Sequence, residues 1–328
     1  MNLSGLKTRN IMTTIIEIQG LTKKYGDLTA LNDLTLNIDE GEVFGFIGPN
    51  GAGKTTTMRI LTTLLKPTSG KAWVAGESVI DNPRAVRRNI GYMPDFFGVY
   101  DDMKVWEYLD FFAACYDIPP ATRLGMIDDL LALVDLGHKK DAFVDSLSRG
   151  MKQRLCLART LAHDPQVLIL DEPASGLDPR ARIEMRELLR ELKLMGKTIF
   201  FSSHILSEVA DICTSIAILE AGSLVAYGDM TEMKRQLRAH RLIQIRLLGE
   251  LMPVQEFLLR HEAVESIITS EEVDIPSDAL RFDFTGDDES LSDLLASLIA
   301  RNFRVVAFQE ETGDLEDVFL QVTKGIVN

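Results

Sequence analysis

The sequence predicts an α/β fold built on a parallel sheet, followed by a small α+β domain. Three observations carry this expectation. Short apolar runs alternate with helical patterns through much of the chain, as in a parallel sheet covered on both faces. One such run, Val43–Ile47, leads directly into Gly48-Pro49-Asn50-Gly51-Ala52-Gly53-Lys54-Thr55. The charge then changes near Arg241. Residues 241–328 hold 7 Lys and Arg against 18 Asp and Glu, while the whole 328-residue chain holds 35 against 49. The first 240 residues are therefore close to neutral and the rest strongly acidic, which marks a second domain over 241–328.

Taken in order, residues 1–14 read as a leader, with Met12 a candidate start. Ile15–Ile18 and Leu28–Ile38 are rich in Ile, Leu and Thr and read as strands, with a turn at Asp39–Glu42. Val43–Ile47 is a short buried strand, and Lys54–Leu65 turns helical and stops before Pro67. Residues 101–163 read as mostly helical. Leu124, Ile127, Leu130, Leu131 and Val134 share one helical face, and Gly137 stands at a C-cap position. Ser148 is placed to cap a helix over Met151–His163, which Pro165 ends. Strands Val167–Leu170 and Thr198–Ser202 flank a helix over Ala181–Met195, closed by Gly196. Beyond Arg241 come a strand (Leu242–Leu247), a helix (Met252–His261) and a polar hairpin around Pro276. A helix (Leu291–Asn302) and a strand (Val305–Gln309) follow, close to a split β-α-β motif, with a short helix over Leu315–Val322. Leu291, Leu294, Leu295 and Leu298 form an apolar face that suits either packing on the domain's own sheet, the favoured reading, or contact with a second copy.

Composition excludes several function classes. Hydrophobic residues make up 46% and charged residues 26%, an ordinary globular balance. The net charge of −14 argues against broad electrostatic binding to nucleic acid, although a local basic pocket remains open. Cys115, Cys156 and Cys213 are odd in number and far apart, so they form neither a disulfide framework nor a metal-ligand spacing and read as small buried hydrophobes. Nowhere do about 18 apolar residues run together, so the chain is not expected to span a membrane alone.

Two segments carry chemistry. In Gly48-x4-Gly53-Lys54-Thr55 a strand meets a helix through glycines that let backbone N–H groups turn inward around a polyphosphate. The helix N-terminus adds its positive dipole end, Lys54 offsets phosphate charge, and the Thr55 hydroxyl suits Mg²⁺. Val167–Leu170 then ends in Asp171-Glu172, two carboxylates at the edge of the sheet where ligands bind. Asp171 is the candidate metal ligand and Glu172 the candidate general base.

Leu147-Ser148-Arg149-Gly150-Met151-Lys152-Gln153, which precedes these carboxylates, makes the pattern specific. With the phosphate loop, it resembles the nucleotide-binding subunits of ATP-binding cassette (ABC) transporters from Tyr25 to His204. The resemblance implies a P-loop NTPase core over 15–238, with an antiparallel β subdomain and a helical signature subdomain at about 95–163. It implies ATP and Mg²⁺, with Gly48, Asn50, Gly51, Gly53, Lys54, Thr55 and Thr56 around the phosphates and Tyr25 against adenine. Ser148 and Gly150 would serve the nucleotide of a second copy, and Asp178 would bridge the two subunits. His204 resembles the switch histidine, so Glu172, His204 and Lys54 form the catalytic set. His138, His163, His240 and His261 match nothing and read as structural.

Two positions depart from the family pattern. Asp95 follows Gly91-Tyr92-Met93-Pro94 where the family usually has Gln; it is either a Mg²⁺ ligand through water or a loop residue facing the permease. Arg149 takes the signature's usual second glycine, and Met151 its usual terminal Gln. The acidic C-terminal stretch, including Leu315-Glu316-Asp317-Val318-Phe319, is similar to the extension on exporter-type cassettes. It reads as a dimer support, a brake or a solvated cap. The expected protein is an ATPase subunit that powers a separate membrane permease, as a homodimer peripheral to the cytoplasmic face. Soluble cassette ATPases acting on DNA or ribosomes, and a switch that scarcely hydrolyses, are the competing classes.

Overall fold

The computed structural model describes residues 13–96, 98, 102–205, 209, 211–231, 241–268, 276 and 278–311. Residues 1–12 of the proposed leader 1–14, His240, the centre of the hairpin before Pro276 and the helix expected over Leu315–Val322 lie outside the described residues, whereas Thr14 already belongs to the first strand. The chain divides into two compact units, Met1–Asp229 and Met230–Asn328. This division falls upstream of the charge step at Arg241.

The first unit opens with β1 (Thr14–Tyr25), β2 (Leu28–Asp39), β3 (Val43–Ile47) and α1 (Lys54–Leu61). β4 (Ser69–Val74), β5 (Glu77–Ser78), α2 (Pro83–Asn89) and β6 (Ile90–Met93) follow. The helical segment holds α3 (Val105–Cys115), α4 (Pro120–Leu133) and α5 (Arg149–Leu161). β7 (Val167–Leu170), α6 (Pro179–Leu194), β8 (Thr198–Ser203), β9 (Ser215–Glu220) and β10 (Ser223–Asp229) complete the unit. β2-β1-β4-β5 form an antiparallel sheet, and β10-β9-β3-β8-β7-β6 form a second sheet that is parallel except at β10. Alternate residues of β1 and β2 face inward, and Met58, Ile60 and Leu61 of α1 join them in one core with Phe44, Phe46 and Phe200. β3, β7 and β8 are buried along their whole length, as central strands covered on both faces must be.

Local chemistry sets the ends of these elements. α1 stops at Leu61, short of the expected Leu65. Thr62 turns its hydroxyl back onto the Met58 carbonyl at 2.8 Å, and Thr63 takes a left-handed φ of 64°, so the helix cannot continue. α5 begins at Arg149, before the expected Met151, because the Ser148 side chain caps it by accepting from the Met151 N–H at 3.3 Å. α4 ends at Leu133, so Gly137 is not its C-cap and instead opens a short 3₁₀ turn over Gly137–Lys139. Of the expected apolar face of α4, Ile127, Leu131 and Val134 are fully buried, whereas Leu124 is 58% exposed. Cys156 and Cys213 are buried as expected. Cys115 is not, since it ends α3 on the face turned to solvent.

The second unit holds β11 (Arg241–Leu248), α7 (Met252–Leu258), β12 (Val264–Ile268), β13 (Ala279–Phe284), α8 (Asp288–Ala300) and β14 (Arg304–Glu311). Its antiparallel sheet has the order β12-β13-β11-β14, a split β-α-β arrangement. Leu294 and Leu298 of α8 are fully buried in this unit's own core with Ile243, Ile245, Phe282 and Phe284, while Leu291 packs against its edge. The apolar face of α8 thus packs in its own domain.

Candidate functional site

The site is built where β3 gives way to α1. β3 pairs in parallel with β8 and β9, so the loop leaving it emerges at the carboxyl edge of the sheet. Gly53, the N-cap of α1, has φ 105°, and a Cβ there would stand 2.7 Å from the Ala30 carbonyl oxygen. Only glycine allows this turn and this approach. Gly53 offers no capping side chain, and the first turn of α1 has no acidic residue, so its N–H groups are left for an anion.

A cleft opens over this helix end. Asn50, Gly51, Gly53, Lys54, Thr55 and Thr56 line it, together with Asp95 and Glu172. Lys54 is buried, and its Nζ donates to the carbonyls of Gly48 at 2.6 Å and Pro49 at 3.3 Å. The same Nζ lies 3.4 Å from Glu172 Oε1. An ammonium that reaches both the loop and a carboxylate is positioned to offset charge on a polyphosphate.

The carboxylates leave the sheet at the end of β7. Ser202, in the adjacent strand β8, donates to Asp171 Oδ1 at 2.7 Å and accepts from the Glu172 N–H at 2.9 Å. That single hydroxyl ties the Asp171 carboxylate to the backbone of Glu172. Its signal in the sequence is a serine at the end of an apolar strand. Asp171 is 1% exposed, and its Oδ2 has no hydrogen-bond partner among the described residues. A buried carboxylate oxygen without a donor fits a cation or its bound water. No cluster of three or more His, Cys, Asp or Glu suits a metal among the described residues. Mg²⁺ is usually held by one or two carboxylates plus substrate phosphates, a demand that the partnerless Asp171 Oδ2 meets. Thr55, in the cleft, adds a hydroxyl to that donor set.

Glu172 has φ 51°, a left-handed conformation that costs a non-glycine residue about 1–3 kcal/mol. His204 Nδ1 lies 2.7 Å from its Oε2, and Lys54 faces its Oε1. Asp95 faces the same anionic cleft. Desolvation, and then the charges of Asp171 and Glu172, push its carboxyl above the usual carboxylate range, while Arg149 and His204 oppose the rise.

Tyr25, Ser148, Gly150 and Asp178 do not line this cleft. Tyr25 is 47% exposed, with Lys23 Nζ 5.0 Å from its ring centroid. Asp178 caps α6 by accepting from the Ala181 N–H at 2.9 Å. Gly150 packs closely, and a Cβ there would stand 3.0 Å from the Ala181 Cβ. Among the remaining histidines, His163 Nε2 lies 2.8 Å from the Ile90 carbonyl oxygen, and the ring of His261 tilts against Phe284 at 6.2 Å.

The family model described as ABC transporter matches residues 31–175. One described as ATP-binding protein DrrA1-3-like, C-terminal domain, matches residues 228–323. The Nod factor export ATP-binding protein I of Ralstonia nicotianae is 33% identical over 312 residues, covering 95% of this chain and 94% of that protein. The bacitracin transport ATP-binding protein BcrA of Bacillus licheniformis is 40% identical over 235 residues, covering 71% and 76%. A solved structure of an ATP-binding subunit of an ABC transporter superposes with a TM-score of 0.62 at 32% identity, covering 69% of this chain and 94% of that one. Among the described residues, no helix is long and apolar enough to cross a membrane. With the phosphate loop, the paired carboxylates and a relative matched over 95% of the chain together, the chain belongs to the ATP-binding subunits of ABC transporters, ATPases that drive a separate membrane permease.

Proposed function

We propose that Glu172 is the general base of ATP hydrolysis in this subunit and that His204 orients it. The observation that carries this is the double engagement of Glu172, with His204 at 2.7 Å on one oxygen and Lys54 at 3.4 Å on the other. A base held from both sides has a fixed direction, which is the geometric requirement for taking a proton from a positioned water. The water's oxygen then bonds to the γ-phosphorus as the bond to the bridging oxygen of ADP breaks. The released proton stays on Glu172 until product leaves. Lys54 offsets the charge on the β- and γ-phosphates, and the N–H groups from Asn50 to Thr56 cradle them. Thr55, Asp171 and Asp95 are the residues that would hold Mg²⁺, which supplies neutralisation of the developing phosphate charge.

Ser148, Gly150 and Asp178 lie outside this cleft, and the reading that suits them is service to the nucleotide of a second copy. Tyr25 would stack on adenine. Export is the favoured direction because a relative matched over nearly the whole chain is named for Nod factor export. Through its permease, the subunit would work at the cytoplasmic face of the membrane. Glu172→Gln is expected to keep ATP binding and to lose about 10²–10⁴-fold in turnover. It should also trap an ATP-dependent homodimer visible by light scattering. Wild-type hydrolysis by this variant would remove Glu172 from the role of base.

A further inference from the structure

We propose that Arg149 is a positioning residue that fastens the segment carrying Glu172 to the first turn of α5. The inference rests on the reading of Glu172 as the base and assigns it a support. Arg149 Nη2 donates to the Ser175 carbonyl at 3.2 Å. The Ser175 N–H in turn donates to the Glu172 carbonyl at 3.0 Å, so Ser175 closes the turn that Glu172 opens. The next residue, Gly176, has φ 66°, and the guanidinium fills the space that a side chain there would take. A Cβ on Gly176 would stand 2.3 Å from Nη2, 2.4 Å from Cζ and 2.6 Å from Nη1. Three guanidinium atoms at nearly equal distance place its plane flat on the glycine.

A second side chain works from the same helix face. Gln153, one turn along α5, is 3% exposed and donates from Nε2 to the Pro173 carbonyl at 2.8 Å. Arg149 and Gln153 thus hold alternate carbonyls of the strand-to-helix segment that follows Glu172. That residue is in a left-handed conformation, which persists only where the surroundings over-determine it. Helix stability does not explain the arginine. It occupies the first position of α5, where the helix dipole disfavours a cation, and the first turn contains no acidic residue. Besides its charge interaction with Asp95, the contacts of its guanidinium lie at the turn after Glu172.

The test uses the full-length protein and steady-state ATP hydrolysis. Arg149→Ala should lower kcat by about 10- to 100-fold, the scale of a misplaced catalytic group, with KM for ATP within about twofold. Arg149→Lys should recover part of the loss, because an ammonium reaches the Ser175 carbonyl but cannot lie flat on Gly176. Gly176→Ala should lower kcat in the wild-type background and add less in Arg149→Ala, where the displaced contact is already gone. An unchanged kcat in Arg149→Ala, a loss confined to KM, or effects of the two substitutions that multiply in full would each overturn the proposal. If the alanine variant does not fold, Arg149→Lys carries the test: reduced kcat with retained KM supports it, and wild-type kcat overturns it. Glu172→Gln, run alongside, separates the two levels. Wild-type turnover there overturns the assignment of the base, whereas an inactive Glu172→Gln beside a fully active Arg149→Ala overturns the positioning role alone.

Discussion

At the scale of single residues, the proposed catalytic edge of this subunit depends on very few contacts. Ser202 satisfies one oxygen of Asp171 and the N–H of Glu172, leaving Asp171 Oδ2 free to accept from a metal-bound water. Asp95 stands in this anionic surrounding. Its carboxyl is pushed upward first by desolvation and then by Asp171 and Glu172. A metal ion would relieve that repulsion, so Asp95 as the carboxylate should depend on the cation more steeply than an amide of similar reach. Asp95→Gln is therefore expected to fold and bind ATP as the wild type does, and to shift the Mg²⁺ concentration that gives half-maximal hydrolysis. An unchanged Mg²⁺ titration would place Asp95 away from the metal, as a loop residue facing the permease.

At the scale of elements, α3, α5 and β6 meet at His163. Its ring stacks on Tyr116, just past α3, at 3.8 Å between centroids, and its Nε2 donates to the Ile90 carbonyl where β6 begins. Its Nδ1 is buried with no hydrogen-bond partner among the described residues, so the neutral ring is the form that fits. Desolvation by burial lowers its proton affinity below the ordinary imidazole range, an effect only partly opposed by the Ile90 carbonyl. The unfolded chain then binds a proton that the folded chain refuses. Stability is complete above the ordinary histidine range and falls as the pH drops through about 6.5 and below. Chemical denaturation between about pH 5 and pH 8 should show this fall in the wild type and a weaker one in His163→Gln. Equal slopes in the two proteins would remove His163 as its source.

At the scale of the whole molecule, each unit has its own core. The first is centred on β1, β2, α1 and β3, and the second on Ile245, Phe282, Phe284 and Leu298. The described residues that line the cleft all belong to the first unit. A chain ending at Asp229 is expected to bind ATP within about threefold of the full-length affinity, since it keeps the whole cleft and its core. We propose that the second unit acts on dimerisation or on pairing with the permease, so the truncation should change ATPase rate or dimer formation. Nucleotide affinity and light scattering on the truncated chain decide this. Loss of ATP binding in a folded truncation would show that the second unit supports the site, and a change in solubility alone would make it an inert cap.

The sequence by itself determined what is local and periodic. The span of β3 is legible because five apolar residues meet a glycine turn, and Lys54, Thr55, Asp171 and Glu172 stand out as candidates because the chemistry proposed for them needs adjacent positions on the chain. The βαβ alternation likewise implies a parallel sheet, and the 3.6-residue spacing of Leu294 and Leu298 implies a buried face. Tertiary structure decided what depends on residues far apart in sequence. Ser202 reaches Asp171 only because β7 and β8 pair in register, and Asp95 shares a cleft with Glu172 only because β6 lies beside β7. The contact between Arg149 and Ser175 joins a helix start to a turn beyond the next strand, and neither segment names the other in its own pattern. Burial and pairing are properties of the assembled sheet, whereas capping, turn chemistry and hydrophobic period belong to each short stretch of chain.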